Sequence, residues 1–234
     1  MMTSIKILFE DQWLLVVNKP AGLPTQPTVD RSRPSLYSLL LESKQWPYLG
    51  LHHRLDVPTS GIVLLTKNKD ANKGVSELFK GRGLEKNYFC LTQGVPSSTD
   101  FECQNYLKQL RLKTGKTKMI STTSGGDFAH TVFHCCESFA ESSLIKASPQ
   151  TGRMHQIRTH LAELGYPILG DSLYGRTDRR FPRLMLHAAE LRFIHPITKQ
   201  PITLLAPWPE DFQKAYERCR RGPSSAPSQT ETPS

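Results

Sequence analysis

The sequence is short of the features that mark several common protein classes. It has five cysteines, at positions 90, 103, 135, 136 and 219, and no two of them form a Cys-x-x-Cys pair. An odd count without metal spacing argues against a disulfide framework and reads as reduced thiols in an intracellular protein. No apolar run approaches the length of a membrane span. The opening Met1-Met2-Thr3-Ser4-Ile5-Lys6 has no long apolar core ahead of a cleavage site. A cytoplasmic protein outside the membrane is the expectation. There is no Gly-Lys-Ser phosphate loop and no Gly-x-Gly-x-x-Gly turn, so no nucleotide cofactor is predicted. The eight histidines include near pairs: His52-His53, His130 with His134, and His155 with His160. A spacing of four along a strand or five along a helix is not a helical zinc pair, and no His-Glu-x-x-His accompanies it. Core or capping roles are expected, and no metal.

Acidic residues are also in deficit, 21 against 30 Lys and Arg, for a net charge of +9. Such a balance points to a polyanionic partner, nucleic acid or an anionic surface, without choosing between them. The 234 residues suit one domain with a real core. Residues 1–221 are assigned to it, and the Pro/Ser/Thr-rich stretch 222–234 reads as a disordered tail. No heptad pattern or large apolar patch is legible, so a monomer is expected.

Along the chain, Ile5 to Phe9 and Trp13 to Val17 are apolar runs around Glu10-Asp11-Gln12, which predicts a strand, a tight turn and a strand. Leu36, Leu39 and Leu40 have helical spacing behind a candidate N-cap, Ser35. Asp70 to Lys80 predicts a helix with Val75, Leu78 and Phe79 on one face, ended by Gly81-Arg82-Gly83. Lys86 to Thr92 is strand-like, and placing it beside an Ile62–Leu65 strand would bring Tyr88 near the loop before that strand. Residues 103–126 carry Lys108, Arg111, Lys113, Lys116 and Lys118 and no acid. Charge alternates there with Leu107, Leu110, Leu112 and Met119, predicting a two-stranded basic ribbon with Thr114-Gly115 near its turn. It could follow a phosphate backbone, or be a solvated face kept charged against edge pairing. Strands follow at Phe128–Phe139, Ser143–Ala147, Leu184–Phe193 and Ile202–Leu205. Helices are predicted at Arg153–Leu164, with Ile157, Leu161 and Leu164 buried, and at Trp208–Arg221. Strands outnumber helices, so the fold class is α+β on a mainly antiparallel sheet.

The chemistry concentrates in His53-Arg54-Leu55-Asp56-Val57-Pro58-Thr59-Ser60-Gly61, a charged loop ahead of the apolar run Ile62-Val63-Leu64-Leu65. Reactive groups are commonly held on loops pinned to rigid elements. In an extended segment Arg54 and Asp56 point to one side and Leu55 to the other. A neighbouring cation favours the ionised acid. On spacing alone, a surface ion pair or turn cap explains Arg-x-Asp as well.

The loop resembles the signature of the RluA-type pseudouridine synthases, and four further blocks agree in order. They are Asn18-Lys19-Pro20-Ala21-Gly22, Glu85-Lys86-Asn87-Tyr88, Thr151-Gly152-Arg153-Met154-His155-Gln156-Ile157-Arg158, and Gly165-Tyr166-Pro167-Ile168-Leu169-Gly170-Asp171 with Tyr174-Gly175 behind it. The resemblance implies one bent mixed sheet with flanking helices and a central active-site cleft. It implies that Asp56 is catalytic, that Tyr88 is the active-site Tyr, that Arg158 pairs with Asp56, and that Arg54 helps displace the target base. The expected substrate is a uridine in a structured transfer or ribosomal RNA. Breaking C1′–N1, turning the uracil and rejoining through C5 transfers no electron or group outward, so neither cofactor nor metal is needed in principle. Asp56 could attack the sugar or base, or take a sugar proton.

Two departures stand out. Cys90 occupies a place where a small residue such as Ala is expected. The chain also begins at the catalytic domain without the S4-like RNA-binding domain many relatives carry in front, so recognition is expected from the catalytic domain itself. Asp171 reads as a turn residue. A non-catalytic RNA-binding protein on the same fold would need only the basic surface, not the Arg54/Asp56/Tyr88/Arg158 set. A hydrolase using Asp56 would need a second acid or a metal to activate water, and no second acid lies near it in sequence.

Overall fold

The computed structural model describes residues 5–222 apart from Arg31, Lys44 and Arg82; residues 223–234, most of the stretch expected to be a disordered tail, lie outside the described residues. In chain order the elements are β1 (Lys6–Glu10), β2 (Leu14–Lys19), α1 (Leu36–Glu42), β3 (Gly50–Leu51), β4 (Ser60–Thr66), α2 (Asp70–Lys80), β5 (Leu84–Gln93), β6 (Asp100–Arg111), β7 (Thr117–Thr122), β8 (Asp127–Ser138), β9 (Ser142–Pro149), α3 (Gln156–Glu163), β10 (Leu186–Ile194), β11 (Pro201–Leu205) and α4 (Glu210–Arg221).

Local chemistry explains the boundaries. The Asp11 carboxylate accepts from the Trp13 and Leu14 amides at 2.8 and 2.7 Å, closing the β1–β2 turn. Ser35 caps α1 and exchanges hydrogen bonds with Ser38 in a capping box. α3 ends at Glu163, one residue short of the predicted stripe, so Leu164 is exposed while Ile157 and Leu161 are buried.

The eleven strands of the described residues join one sheet, in the order β1-β2-β4-β10-β5-β9-β8-β6-β7, with β11 also on β10 and β3 also on β4. The only parallel pairing among the described residues is β4 with β10. The expected α+β class on a mixed, mainly antiparallel sheet is what forms. β2 and β4 are covered on both faces. Leu14, Val16, Ile62 and Leu64 pack with Val75 and Phe193, while Leu15, Val17, Val63 and Leu65 pack with Leu36, Trp46 and Leu55. A separate cluster joins Leu91, Phe133 and Ile145 to Leu161 of α3 and Phe212 of α4. Each fully buried aliphatic side chain contributes about 1.5–3 kcal/mol.

β5 is not beside β4. β10, more than a hundred residues downstream, lies between them, and Ala188 pairs with Gly61 on one side and Tyr88 on the other. Only small residues permit that convergence. Gly61 has φ +118°, and a Cβ there would stand 2.2 Å from the Ala188 carbonyl oxygen. Tyr88 therefore reaches the Asp56 loop across one narrow strand rather than by direct pairing. Gly61→Ala is expected to destabilise the protein by about 3 kcal/mol or more, read as a lowered midpoint in denaturant unfolding, whereas Ala188→Gly costs only about 1 kcal/mol.

Candidate active site

Asp56 sits on a loop held from three directions. Leu55 anchors in the core, and its backbone exchanges hydrogen bonds with the Thr25 hydroxyl at 2.9 and 3.1 Å. Lys19, fully buried, donates to the Pro20, Leu23 and Val57 carbonyls at 3.0, 2.8 and 3.3 Å. Burial pulls its ammonium down to about 7 against the field of Asp56. Three acceptors nevertheless match the three donors of the charged form, and a neutral amine would leave one unserved. Behind the loop, the Ser60 hydroxyl meets His187 Nδ1 at 2.9 Å. Burial lowers that imidazole to about 4, so it is neutral at physiological pH.

Arg158 comes from α3, in the other half of the molecule, and is 6 % exposed. Its Nη1 donates to Asp56 Oδ2 at 2.9 Å, while Nε and Nη2 donate to Asp171 Oδ2 and Oδ1 at 2.8 and 2.9 Å. Tyr174 lies under the guanidinium, 5.0 Å from ring centroid to Cζ. Burial opposes the charge on Arg158, but hydrogen bonds and the fields of Asp171 and Asp56 prevail and push its pKa up. Asp171 is the converse. Burial alone would raise its carboxyl, yet Arg158 and the Leu173 and Tyr174 amides hold it below the ordinary carboxylate range.

The two carboxylates are not equivalent. Asp171 has a fully buried side chain, with Oδ2 bonded to Arg158 and Oδ1 accepting from Arg158 and two backbone amides. Asp56 is 24 % exposed, gives one oxygen to Arg158, and has no hydrogen-bond partner for Oδ1 among the described residues. Only Asp56 presents an unspent anionic oxygen to the cleft. The turn reading of Asp171 is thus incomplete: it accepts turn amides and also fixes the arginine. Gly170, with φ +75° and room for no Cβ against the Arg183 carbonyl, sets its direction.

The predicted helix Arg153–Leu164 includes His155. His155 instead precedes α3 in the left-handed region, φ 52° and ψ 16°, a conformation that costs a non-glycine residue about 1 kcal/mol. Its Nε2 lies 3.7 Å from Asp56 Oδ2, and its Nδ1 lies 3.1 Å from the Tyr174 hydroxyl. Burial, with help from Arg158, outweighs Asp56 and lowers its pKa.

Tyr88 lines the same pocket, about 110 Å³ in volume, with Asp56, Arg158, His155, Lys86 and Leu186. Burial and the Asp56 charge push its phenol pKa up. Arg54 is exposed at the rim, with Leu55 turned inward, as alternation predicts. The basic ribbon forms as β6 and β7, with Lys113 and Lys116 in its turn. Leu107 and Met119 are buried but Leu110 is exposed, so the apolar alternation is only partly inward. Lys118 covers the Tyr174 ring at 4.9 Å, and Lys108 lines a compartment with Arg54 and Arg153, whereas Arg111, Lys113 and Lys116 border none of the cavities around Asp56. Cys90 is buried and packs as a small apolar group. The paired histidines have ordinary partners: His52 meets Ser76 and Thr66, His53 accepts the Leu64 amide, His130 and His134 meet Glu102 and Asp100, and His160 meets Thr131 and Asn105. Among the described residues no three His, Cys, Asp or Glu side chains converge as metal ligands, and no helix is long and apolar enough to cross a membrane.

Lys19, His155 and Asp171 are the site residues whose roles were not legible in the chain. Each lies within a quoted motif block, but nothing local signals a buried cation, a left-handed cap or a second carboxylate on one arginine. Asp171→Asn should flatten the acid limb of stability. The depressed carboxylate stabilises the fold above its unfolded pKa of about 3.9, and that contribution disappears as pH falls through the lower folded value. Unfolding free energy measured from about pH 5 to 2 should therefore fall less steeply in the variant, from a starting stability lower by about 3 kcal/mol.

Comparison with known proteins gives a consistent result. Residues 13–163 match the family described as RNA pseudouridylate synthase. The chain is 35 % identical over 226 residues to ribosomal large subunit pseudouridine synthase C of Vibrio vulnificus, spanning 92 % of this chain and 69 % of that protein. It is 31 % identical to ribosomal large subunit pseudouridine synthase D of Zymomonas mobilis, spanning 91 % and 72 %. Among solved structures it is similar to human RNA pseudouridylate synthase domain containing 4, with a TM-score of 0.73 and 27 % identity over 92 % of this chain and 93 % of that one.

Proposed function

The chain belongs to the RNA pseudouridylate synthase family and is an isomerase, and from that premise we propose that it converts uridine to pseudouridine in large-subunit ribosomal RNA, with Asp56 as the reacting carboxylate. The observation that carries the assignment of Asp56 is its free oxygen, on a carboxylate oriented by an arginine already anchored on Asp171. The RNA class is supported by relatives named as ribosomal large subunit pseudouridine synthases. A transfer RNA target, also expected from the sequence, has no such support.

The reaction breaks C1′–N1, turns the uracil and forms C1′–C5; the proton leaves C5 and one is gained at N1, so the overall change is an isomerisation. Asp56 serves either as the nucleophile or as the base that removes a sugar proton, and in both roles it must be ionised and unsolvated by bulk water. Arg158 orients the carboxylate through one oxygen and leaves the other free. Tyr88 offers a ring against which the uracil can lie. Because its phenol holds its proton firmly, stacking and hydrogen bonding are its natural contributions rather than acting as an anion. A base inside a folded RNA must leave its stack, at a cost of a few kcal/mol. Arg54, exposed at the rim, is placed to enter the vacated position or bind a phosphate. Lys108 and Lys118 are the ribbon cations placed to meet the RNA near the cleft; Arg111, Lys113 and Lys116 would meet it farther out.

Asp56→Asn should reduce turnover by about 10⁴-fold or more while RNA affinity stays within about threefold, measured by pseudouridine mapping and by filter binding. Loss of binding together with activity would instead favour a structural role for Asp56. Arg158→Lys should cost about 10²-fold in turnover, because a single ammonium cannot bridge Asp171 and Asp56 in the same plane. Equal turnover in that variant would remove the positioning role.

A further inference from the structure

Beside the Asp56 pocket lies a wider compartment of about 490 Å³ that the proposed reaction does not use. The two share Arg54, Lys86, Tyr88 and Gly152 in their linings. The lining of the wider one includes three cations, Arg54, Lys80 and Lys86, and no carboxylate. Its aromatic wall is a stack: the His53 and Phe79 rings are 4.3 Å apart at an interplanar angle of 20°. His53 Nε2 accepts the Leu64 amide at 2.9 Å. Burial pulls this imidazole down to about 3, so it is neutral and its proton must lie on Nδ1. That N–H has no partner among the described residues. Gln26 adds an amide to the same wall.

Lys86 stands at the junction. A Cβ on Gly152, which lines both spaces, would be 4.0 Å from its ammonium. It makes no ion pair or hydrogen bond among the described residues, and burial, with no carboxylate to offset it, lowers its pKa. A part-buried ammonium with no protein partner, standing at the passage, is free to meet an external anion. A flat aromatic stack with free N–H donors suits a nucleobase, and a cation at the passage between two such spaces suits the phosphate that links two nucleotides.

We infer that this compartment is a second nucleotide site: it holds the base adjacent to the target uridine, and Lys86 binds the phosphate between the two. The inference rests on the pseudouridine synthase reading and adds a determinant of sequence context to it. A compartment that reads a neighbouring base through its Watson–Crick edge makes the enzyme selective for a short single-stranded step rather than for one nucleotide.

The test measures steady-state kinetics on the large-subunit RNA fragment that wild-type enzyme modifies. Lys86→Gln should raise KM about tenfold with kcat within about twofold, and should flatten the salt dependence of binding by about 0.7 in log–log slope, the loss of one single-strand phosphate contact. Lys86→Arg should restore most of the affinity. With wild-type enzyme, an abasic nucleotide on one side of the target should raise KM by a similar factor, and on the other side should not. Should Lys86→Gln fail to fold, the arginine variant and the abasic RNAs carry the same test. Unchanged KM and salt slope in Lys86→Gln, or indifference to abasic sites on both sides, would overturn the inference and leave the isomerase reading intact. Absence of any pseudouridine formed by wild-type enzyme in large-subunit RNA would overturn the ribosomal RNA reading, and the inference with it.

Discussion

A single guanidinium shared between two carboxylates is the contact on which the site depends. Arg158 is buried, so its charge is tolerable only with close counter-charges. Asp171 supplies the larger part, through two hydrogen bonds and complete burial, and is thereby removed from chemistry. Of the arginine's remaining N–H groups, one on Nη1 is aimed at Asp56 from this rigid base. The same arrangement thus separates two identical functional groups into a positioning anion and an exposed one. Neither residue type nor spacing distinguishes them; accessibility and unused lone pairs do.

The halves that supply these groups have separate cores. The β2–β4 layer with α1 and α2 carries the Asp56 loop, and the β5–β9–β8 layer with α3 and α4 carries Arg158. β10 joins them, and the close pairing of Ala188 with Gly61 and Tyr88 lets a loop from one layer and a ring from the other share a pocket. Steric constraint at one glycine is therefore as much a condition of the chemistry as the charges are. Lys19 and His187 have similar duties beneath the loop, one tying carbonyls together and the other standing as a neutral hydrogen-bonding post.

Electrostatics divides by depth. Near Asp56 burial lowers the pKa of His155, whereas Arg158, whose pKa is pushed up, is a cation that keeps its proton. Toward the surface Arg54, Arg153, Lys86 and Lys108 line contiguous spaces with few acids among them. Such a rim suits a polyanion, while deeper in the pocket Arg158 is already occupied by its two carboxylates.

How much of this was readable in the chain follows from the range of each interaction. Period-two and helical patterns, the Ser35 cap and the Asp70–Lys80 helix are local, and the structure has them where the residues place them. The α+β class follows from those same short-range patterns. The ordered motif blocks named Arg54, Asp56, Tyr88 and Arg158 together because resemblance carries long-range information that periodicity does not. What the tertiary structure alone decided are the contacts between distant segments: β10 between β4 and β5, the left-handed turn that aims His155, the buried ammonium of Lys19, and Asp171 on the far edge of Arg158. A side chain's neighbours along the chain fix its direction relative to its own element, but its charge state and its partners depend on what the fold brings against it from elsewhere.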